Sequence, residues 1–196
     1  MAQLFTSVTD KKLATLLHGG AIGVLPTDTV YGLVSVIAPQ PIERLYATKP
    51  RQSHAGTIIA ASVDDLIALG LDETALQHVS HLWPAPLSVV IAAQHIPEFL
   101  REECGSLAVR IPEDEVLRSL LRETGPLMTT SANKHGGKTA ATIAEAQRIF
   151  GDSVDFYVDG GDLSNRPPST IVMVDARGTI TALRDGAVPV RSLGDV

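Results

Sequence analysis

Apolar and polar positions follow two different periods along this chain. Short continuous apolar runs, typical of buried strands, alternate with segments of helical spacing, and glycine and proline mark the breaks between them. The pattern predicts helices over 10–18, 41–48, 72–82, 113–122 and 142–150 and strands over 21–25, 57–61, 87–93, 107–111, 127–130, 154–158, 170–174 and 179–183. This alternation of helices and strands favours an α/β fold.

Residues at the element ends support the prediction. Thr9 or Asp10 is placed to cap the first helix, and the Gly19-Gly20 pair ends it. Pro41 suits the first turn of the second helix, because a missing N–H is tolerated there. The two prolines in 83–86 end the third helix, and the tryptophan that precedes them is expected to fill the core.

Length and composition limit the architecture. The chain has 196 residues, of which 44% are apolar, so we expect a single domain spanning 1–196. No segment approaches the roughly 20 consecutive apolar residues that a membrane helix needs. A cytoplasmic protein without membrane contact is therefore the expectation.

Charge and cysteine content exclude other classes. The formal net charge is -6, which argues against a broad nucleic-acid-binding surface but leaves a local basic pocket open. Cys104 is the only cysteine, which excludes an internal disulfide and a cysteine-rich metal site; we interpret it as a small buried hydrophobe. His78 and His81 could share one helix face, but no third ligand accompanies them, so no metal site is expected.

Three short segments place polar groups where apolar runs end: 26–32, 49–51 and 130–133. In the second segment a proline holds Lys49 and Arg51 close together, and two such cations can neutralise a polyphosphate. Cations at a solvated helix end would be the simpler interpretation of this pair. In the third segment, Ser131 and Asn133 offer hydroxyl and amide groups in a turn, which suit a phosphate or ribose but also fit an ordinary turn. Together the segments indicate an anion pocket.

One pattern suggests a competing hypothesis. Residues 132–139 read Ala-Asn-Lys-His-Gly-Gly-Lys-Thr, which resembles the phosphate-binding loop of nucleotide hydrolases except that its first glycine is replaced by Ala132. Asp175, after an apolar run, could imitate the magnesium-binding aspartate of such proteins. The missing glycine and the late position of the loop argue against this hypothesis.

The joint occurrence of these segments with four others decides between the interpretations. The others are Trp-Pro-Ala-Pro-Leu at 83–87, Ala-Val-Arg-Ile-Pro at 108–112, Gly-Gly at 160–161 and Ser-Thr-Ile-Val at 169–172. The set resembles the YrdC/TsaC family of threonylcarbamoyl-adenylate synthases over about 19–186, with the Lys-x-Arg and Ser-x-Asn pairs as its signature. The resemblance implies a short, single-domain bacterial form with a YrdC-like three-layer α/β fold. Helices would flank a twisted mixed sheet that carries a concave, positively charged cavity.

The resemblance also implies a reaction. L-threonine, bicarbonate and ATP, accompanied by Mg²⁺, would give threonylcarbamoyl-AMP and pyrophosphate. A downstream threonylcarbamoyl transferase complex would then modify an adenosine of tRNA, so any direct contact with tRNA or other RNA would be weak. Because no covalent nucleophile is needed, catalysis would rest on positioning and charge neutralisation.

Site residues are carried over by matching positions. The resemblance implies an ATP site formed by Lys49, Arg51, Ser106, Ser131, Asn133, Thr139 and Arg184, and a threonine site formed by Thr29, Arg110, Thr129 and Ser169. The two signature pairs would carry catalysis. Arg110 would clamp the threonine carboxylate, because a guanidinium can donate two hydrogen bonds to it.

The chain departs from the common family pattern in three places. Residues 52–57 lack the usual Asn-Pro-Leu, Ala60 replaces a histidine that many longer relatives have, and Thr129 is larger than the usual residue. His54 could supply a replacement contact or could be exposed to solvent. Two further hypotheses stay open: an RNA-binding module without enzymatic activity, and a family member that has lost the synthase activity. Members of the second kind tend to lack the signature residues present here.

Overall fold

The computed structural model describes residues 1–49, 56–93, 96–100, 105–134, 136–175 and 179–193. Its helices are α1 (Lys11–His18), α2 (Pro39–Thr48), α3 (Val63–Ala68), α4 (Glu73–Val79), α5 (Glu115–Thr124) and α6 (Ile143–Phe150). Short 3₁₀ helices cover Ser80–Leu82, Glu98–Leu100, Gly151–Ser153 and Val190–Ser192. None of the helices in these ranges is long and apolar enough to cross a bilayer.

The described residues also form ten strands. They are β1 (Gln3–Phe5), β2 (Gly23–Pro26), β3 (Tyr31–Val36), β4 (Thr57–Ile59), β5 (Leu87–Ala92), β6 (Ser106–Arg110), β7 (Leu127–Ser131), β8 (Phe156–Val158), β9 (Thr170–Val174) and β10 (Ile180–Arg184). All belong to one sheet with the order β1-β8-β2-β3-β7-β4-β6-β5-β9-β10. Parallel pairs, such as β4 with β6, occur beside antiparallel pairs, such as β3 with β7, so the sheet is mixed as expected.

Most predicted elements are confirmed, with ends shifted by a few residues. Asp10 caps α1 by accepting a hydrogen bond from the Lys12 N–H at 2.9 Å. Helix α2 begins two residues before the predicted start, because Pro39 already suits its first turn. The Trp83 indole N–H donates to the Leu87 carbonyl at 2.7 Å within the core, which confirms its structural role.

Among the α-helices and strands of the described residues, three were not predicted: β1, α3 and β3. The first two are short, but α3 has a recognisable start, since Ser62 and Asp65 form a capping box. Strand β3 pairs antiparallel with β2 through a tight turn. The first two residues of β3, Tyr31 and Gly32, are also the last two of the polar segment 26–32.

Two apolar layers cover the sheet and explain its buried strands. Along β2, Val24 packs into one cluster and Leu25 into the other, because neighbouring side chains of a strand point to opposite faces. One cluster contains residues from α2, α3, α4 and α6, and the other contains residues from α1 and α5. Helices on both faces of a mixed sheet give the three-layer α/β architecture.

Candidate functional site

A cavity of about 620 Å³ lies against the sheet. Strand β6 contributes Ser106, Ala108 and Arg110 to its wall, and these alternate residues share one face of the strand. The intervening Leu107 and Val109 pack into the core on the other face. No helical residue of the described chain lines the cavity, so strands and the loops that follow them form its wall.

The turn between β2 and β3 supplies two buried hydroxyls. The Thr27 and Thr29 Oγ1 atoms lie 3.0 Å apart, and the Thr27 hydroxyl lies 2.7 Å from the Val30 carbonyl that accepts its proton. The Thr29 N–H also lies within hydrogen-bond distance of Thr27 Oγ1, at 3.2 Å. These contacts hold the turn in one conformation and place Thr29 at the cavity wall.

Tyr31 connects this turn to a distant loop. Its hydroxyl donates to the Gly161 carbonyl at 2.9 Å and accepts from the Gly160 N–H at 2.8 Å. A Cβ atom at Gly160 would lie 2.5 Å from Pro26 Cβ, so only glycine permits this approach. The glycine pair therefore brings the chain that leads to Ser169 against the site.

Lys49, at the C-terminal end of α2, is buried with 1% of its surface exposed. Its ammonium group contacts Thr130 Oγ1 at 3.0 Å, the Ser131 carbonyl at 2.7 Å and Ser131 Oγ at 3.2 Å, and it also contacts Asn133 Oδ1. The interpretation of this lysine as a solvated helix end is therefore wrong. Lys49 instead brings a positive charge directly behind the Ser-x-Asn turn.

Arg110 forms a buried ion pair with Asp28. Arg110 Nη2 lies 3.1 Å from Asp28 Oδ1, and each side chain is only 4% exposed. The other carboxylate oxygen, Oδ2, accepts a hydrogen bond from the Glu113 N–H at 3.3 Å. Burial raises the pKa of Asp28 although the charge of Arg110 acts in the opposite direction. Burial likewise lowers the pKa of Arg110, against the effect of the Asp28 charge.

Arg184 brings a second guanidinium to the cavity. It donates to the Ser169 carbonyl from Nε at 3.0 Å and from Nη2 at 2.7 Å, and Nη2 also donates to Ser169 Oγ at 2.8 Å. The pKa of Arg184 is lowered mainly by burial and also by the nearby positive charge of Arg110. Two arginines thus share a cavity whose described lining contains no carboxylate, and such a site suits anionic ligands.

Most of the predicted site residues meet in this cavity. Its wall includes Ser106, Ser131, Asn133, Thr139 and Arg184 from the predicted ATP site and Thr29, Arg110, Thr129 and Ser169 from the predicted threonine site. Lys49 lies behind the wall, in contact with Ser131 and Asn133. Arg51, His54 and Cys104 lie outside the described residues, as does most of the atypical 52–57 segment.

Three residues that contact or shape the site were not assigned a role from the sequence: Thr27, Asp28 and Thr130. Thr27 shapes the turn, Asp28 pairs with Arg110, and Thr130 contacts Lys49. A carboxylate between two threonines, at the end of an apolar strand, was a usable signal for Asp28. The sequence does not identify its partner, which is distant along the chain.

The described residues of the segment after β7, 132–134 and 136–142, do not have the geometry of a phosphate-binding loop. Such a loop leads directly into a helix at its Lys-Ser/Thr pair. Here α6 begins only at Ile143, after Lys138, Thr139 and three further residues that are not helical. Instead, the Asn133 amide donates to the Gly137 carbonyl at 2.5 Å and Ala140 returns to pair with Ala132. The loop folds back on the end of β7.

The chain is similar to known proteins over most of its length. The family model described as "Telomere recombination", which covers Sua5, YciO and YrdC proteins, matches residues 15–186. A threonylcarbamoyl-AMP synthase from Marinobacter nauticus is 35% identical over 169 residues, covering 81% of this chain and 86% of that protein.

Two solved structures share the fold. P. abyssi Sua5 complexed with L-threonine has a TM-score of 0.82 at 23% identity, covering all of this chain and 62% of the Sua5 chain. E. coli YciO has a TM-score of 0.82 at 21% identity, covering 97% of this chain and 98% of its own. At this level of identity the two matches establish the three-layer fold.

Proposed function

This chain belongs to the Sua5/YciO/YrdC family, and from that premise we propose that it is a threonylcarbamoyl-AMP synthase. The enzyme would make threonylcarbamoyl-AMP and pyrophosphate from L-threonine, bicarbonate and ATP. The observation that carries the proposal is the charge around one cavity: Arg110 and Arg184 line it with hydroxyl and amide groups, and Lys49 lies directly behind its wall. A site of this kind can hold two anions close together, as the reaction requires.

The nucleotide would occupy the side of the cavity near the Ser-x-Asn turn. Lys49 and Arg184 would offset the phosphate charge, while Ser131 and Asn133 would supply hydroxyl and amide groups for the phosphates or the ribose. Ser106 and Thr139 line the same cavity and complete the proposed ATP site. Arg51 is included by its match to the family signature alone.

L-threonine would bind at the wall formed by β6, β7 and the turn after β2. Arg110 would bind its carboxylate, and Thr29, Thr129 and Ser169 would surround the rest of the amino acid. Thr129 Oγ1 lies in the space beside Gly32, where an added Cβ would be only 2.5 Å away. Gly32 therefore leaves room for the Thr129 hydroxyl at the proposed threonine site.

The proposed chemistry has two steps. The threonine nitrogen first forms a bond with the carbon of bicarbonate, releasing water and leaving a carbamate. A carbamate oxygen then attacks the α-phosphorus of ATP, and the bond from that phosphorus to the bridging oxygen breaks, releasing pyrophosphate. The cationic side chains would stabilise the charge that moves to the leaving group, and the strands would hold both reactants in line.

Magnesium would arrive with ATP as part of the substrate. Mg²⁺ prefers oxygen ligands and usually keeps waters, binding to a few protein oxygens and to phosphates. The described cavity lining offers hydroxyl oxygens but no carboxylate, which suits an ion held mainly by the nucleotide. Ser131 and Thr139 are residues of the proposed ATP site that bring hydroxyl oxygens to the cavity wall.

The product would act outside this protein. We propose that a threonylcarbamoyl transferase complex takes threonylcarbamoyl-AMP and modifies an adenosine of tRNA in the cytoplasm. With a net charge of -6, the protein has no general attraction for nucleic acid, so direct contact with tRNA or other RNA would be weak and salt-dependent.

Release of pyrophosphate tests the proposed function. We expect the purified protein with ATP, Mg²⁺ and bicarbonate to release pyrophosphate when L-threonine is added, much more slowly with L-serine, and not without an amino acid. The methyl group that serine lacks contributes about 1 to 3 kcal/mol of discrimination in a fitted site. ATP binding without threonine-dependent release would instead favour an inactive family member, or an RNA-binding role if RNA affinity were found.

A further inference from the structure

Asp28 is the one carboxylate that contacts a cationic side chain of the described cavity wall. Its side chain is 4% exposed and belongs to the turn after β2, whereas Arg110 ends β6 on another part of the sheet. The pair therefore joins the two parts of the proposed threonine site. No role in the reaction described above requires Asp28 to touch a substrate.

Stability alone gives little reason for a buried ion pair at this position. Removing two charges from water is costly, and well-packed apolar residues of similar volume are often as stabilising or more so. The pair is also poorly aligned, since neither Asp28 Oδ1 nor Arg110 Nε has a hydrogen-bond partner within the described chain. These features suit a pair that serves ligand binding.

The two cavity arginines have separate anchors. Arg184 donates to the Ser169 carbonyl, while Arg110 has Asp28 as its counter-ion. Because like charges in one cavity repel each other, an unanchored Arg110 would move or become disordered. The Asp28 carboxylate holds Arg110 by Nη2, and because Arg110 also lines the cavity, the rest of its guanidinium is left for a ligand.

We propose that Asp28 is a positioning residue that fixes the Arg110 guanidinium so that its remaining N–H groups bind the substrate carboxylate. This inference rests on the proposed function, because it takes Arg110 as the carboxylate clamp. A bidentate contact between a guanidinium and a carboxylate depends on orientation as well as charge. Asp28 supplies that orientation without touching the substrate.

Asp28→Asn tests the proposal, since it keeps the shape of the side chain but removes its charge. We expect the KM for L-threonine to rise by about 10- to 100-fold, with a much smaller change in the KM for ATP. L-threoninol, which lacks the carboxylate, provides a second readout as an inhibitor. The wild type should bind L-threonine much more tightly than L-threoninol, and Asp28→Asn should reduce that preference. If Asp28 had only a structural role, the preference would stay unchanged.

An exposed ion pair away from the cavity provides the control. Asp155 and Arg44 form an ion pair at 3.0 Å, with side chains 37% and 43% exposed, away from the cavity. Asp155→Asn should leave the KM for L-threonine and the preference over L-threoninol unchanged. If Asp28→Asn does not fold, Asp28→Glu takes its place, because it keeps the counter-charge and moves it by one methylene group.

Calorimetric binding of L-threonine separates the possible failures. Unchanged L-threonine affinity and unchanged preference over L-threoninol in a folded Asp28 variant would overturn the role of Asp28. A wild type that binds L-threonine but makes no product would contradict the proposed function and leave the Asp28 comparison valid. Loss of L-threonine affinity in Asp28→Asn but not in Asp155→Asn is the result that the proposal predicts.

Discussion

Replacing Lys49 with methionine is expected to lower the rate of threonylcarbamoyl-AMP formation by about 10²- to 10³-fold. Methionine keeps much of the length of the side chain but removes the charge behind the Ser-x-Asn turn. The loss leaves Thr130, Ser131 and Asn133 without the ammonium group that they contact. Pyrophosphate release at saturating L-threonine measures the effect.

Two exposed lysines in the neighbouring loop provide controls for Lys49. Lys134→Met and Lys138→Met remove the same charge from solvated positions and should retain near-normal turnover. Lys138 also tests the phosphate-loop hypothesis, in which its loss would abolish nucleotide binding while Arg51→Ala would not. A folded Lys49→Met protein with near-normal turnover would show that the ATP site has been assigned to the wrong residues.

The second large effect is expected at Arg110. Arg110→Met should lower kcat/KM for L-threonine by about 10²- to 10³-fold, because the substrate carboxylate loses its buried cationic partner. The KM for ATP should change far less, since Arg184 and Lys49 remain. Steady-state kinetics with each substrate varied in turn separates the two effects.

The stability of this variant needs its own control. Arg110→Met leaves the Asp28 carboxylate buried without a counter-charge, which would cost about 3 to 5 kcal/mol of folding stability. The double variant Asp28→Asn/Arg110→Met removes both charges and should recover much of that loss without recovering activity. Arg44→Met, which breaks the surface pair with Asp155, should leave the kinetics unchanged. Restored activity in the double variant would contradict the clamp.

The fold was predictable where a local pattern determines the element. The apolar runs of β5, β6, β7 and β9 and the capped helix α1 have such patterns, and the structure confirms them. Strand β3 was missed because its polar start at Tyr31-Gly32 continues the turn that precedes it. The order of the strands depends on contacts between distant segments, which the periodicity of one sequence does not reveal.

The residues of the candidate site were predictable from motifs, but their burial and their partners were not. Nine of the residues carried over with the motifs line one cavity wall. Local pattern alone favoured a solvated helix end for Lys49, because burial depends on what packs against the end of α2. The pairing of Asp28 with Arg110 was beyond sequence reasoning for the same reason, since a turn and a distant strand meet only in the folded sheet.

Transfer of labelled carbon from bicarbonate into a nucleotide product tests the central claim most directly. The protein would be incubated with ¹⁴C-bicarbonate, ATP and Mg²⁺, with and without L-threonine, and the products separated at once. We expect label in an AMP-linked product that depends on both L-threonine and ATP and is strongly reduced in Lys49→Met and Arg110→Met. Release of pyrophosphate with no labelled AMP-linked product would contradict the synthase reaction and the assignment of the cavity to it.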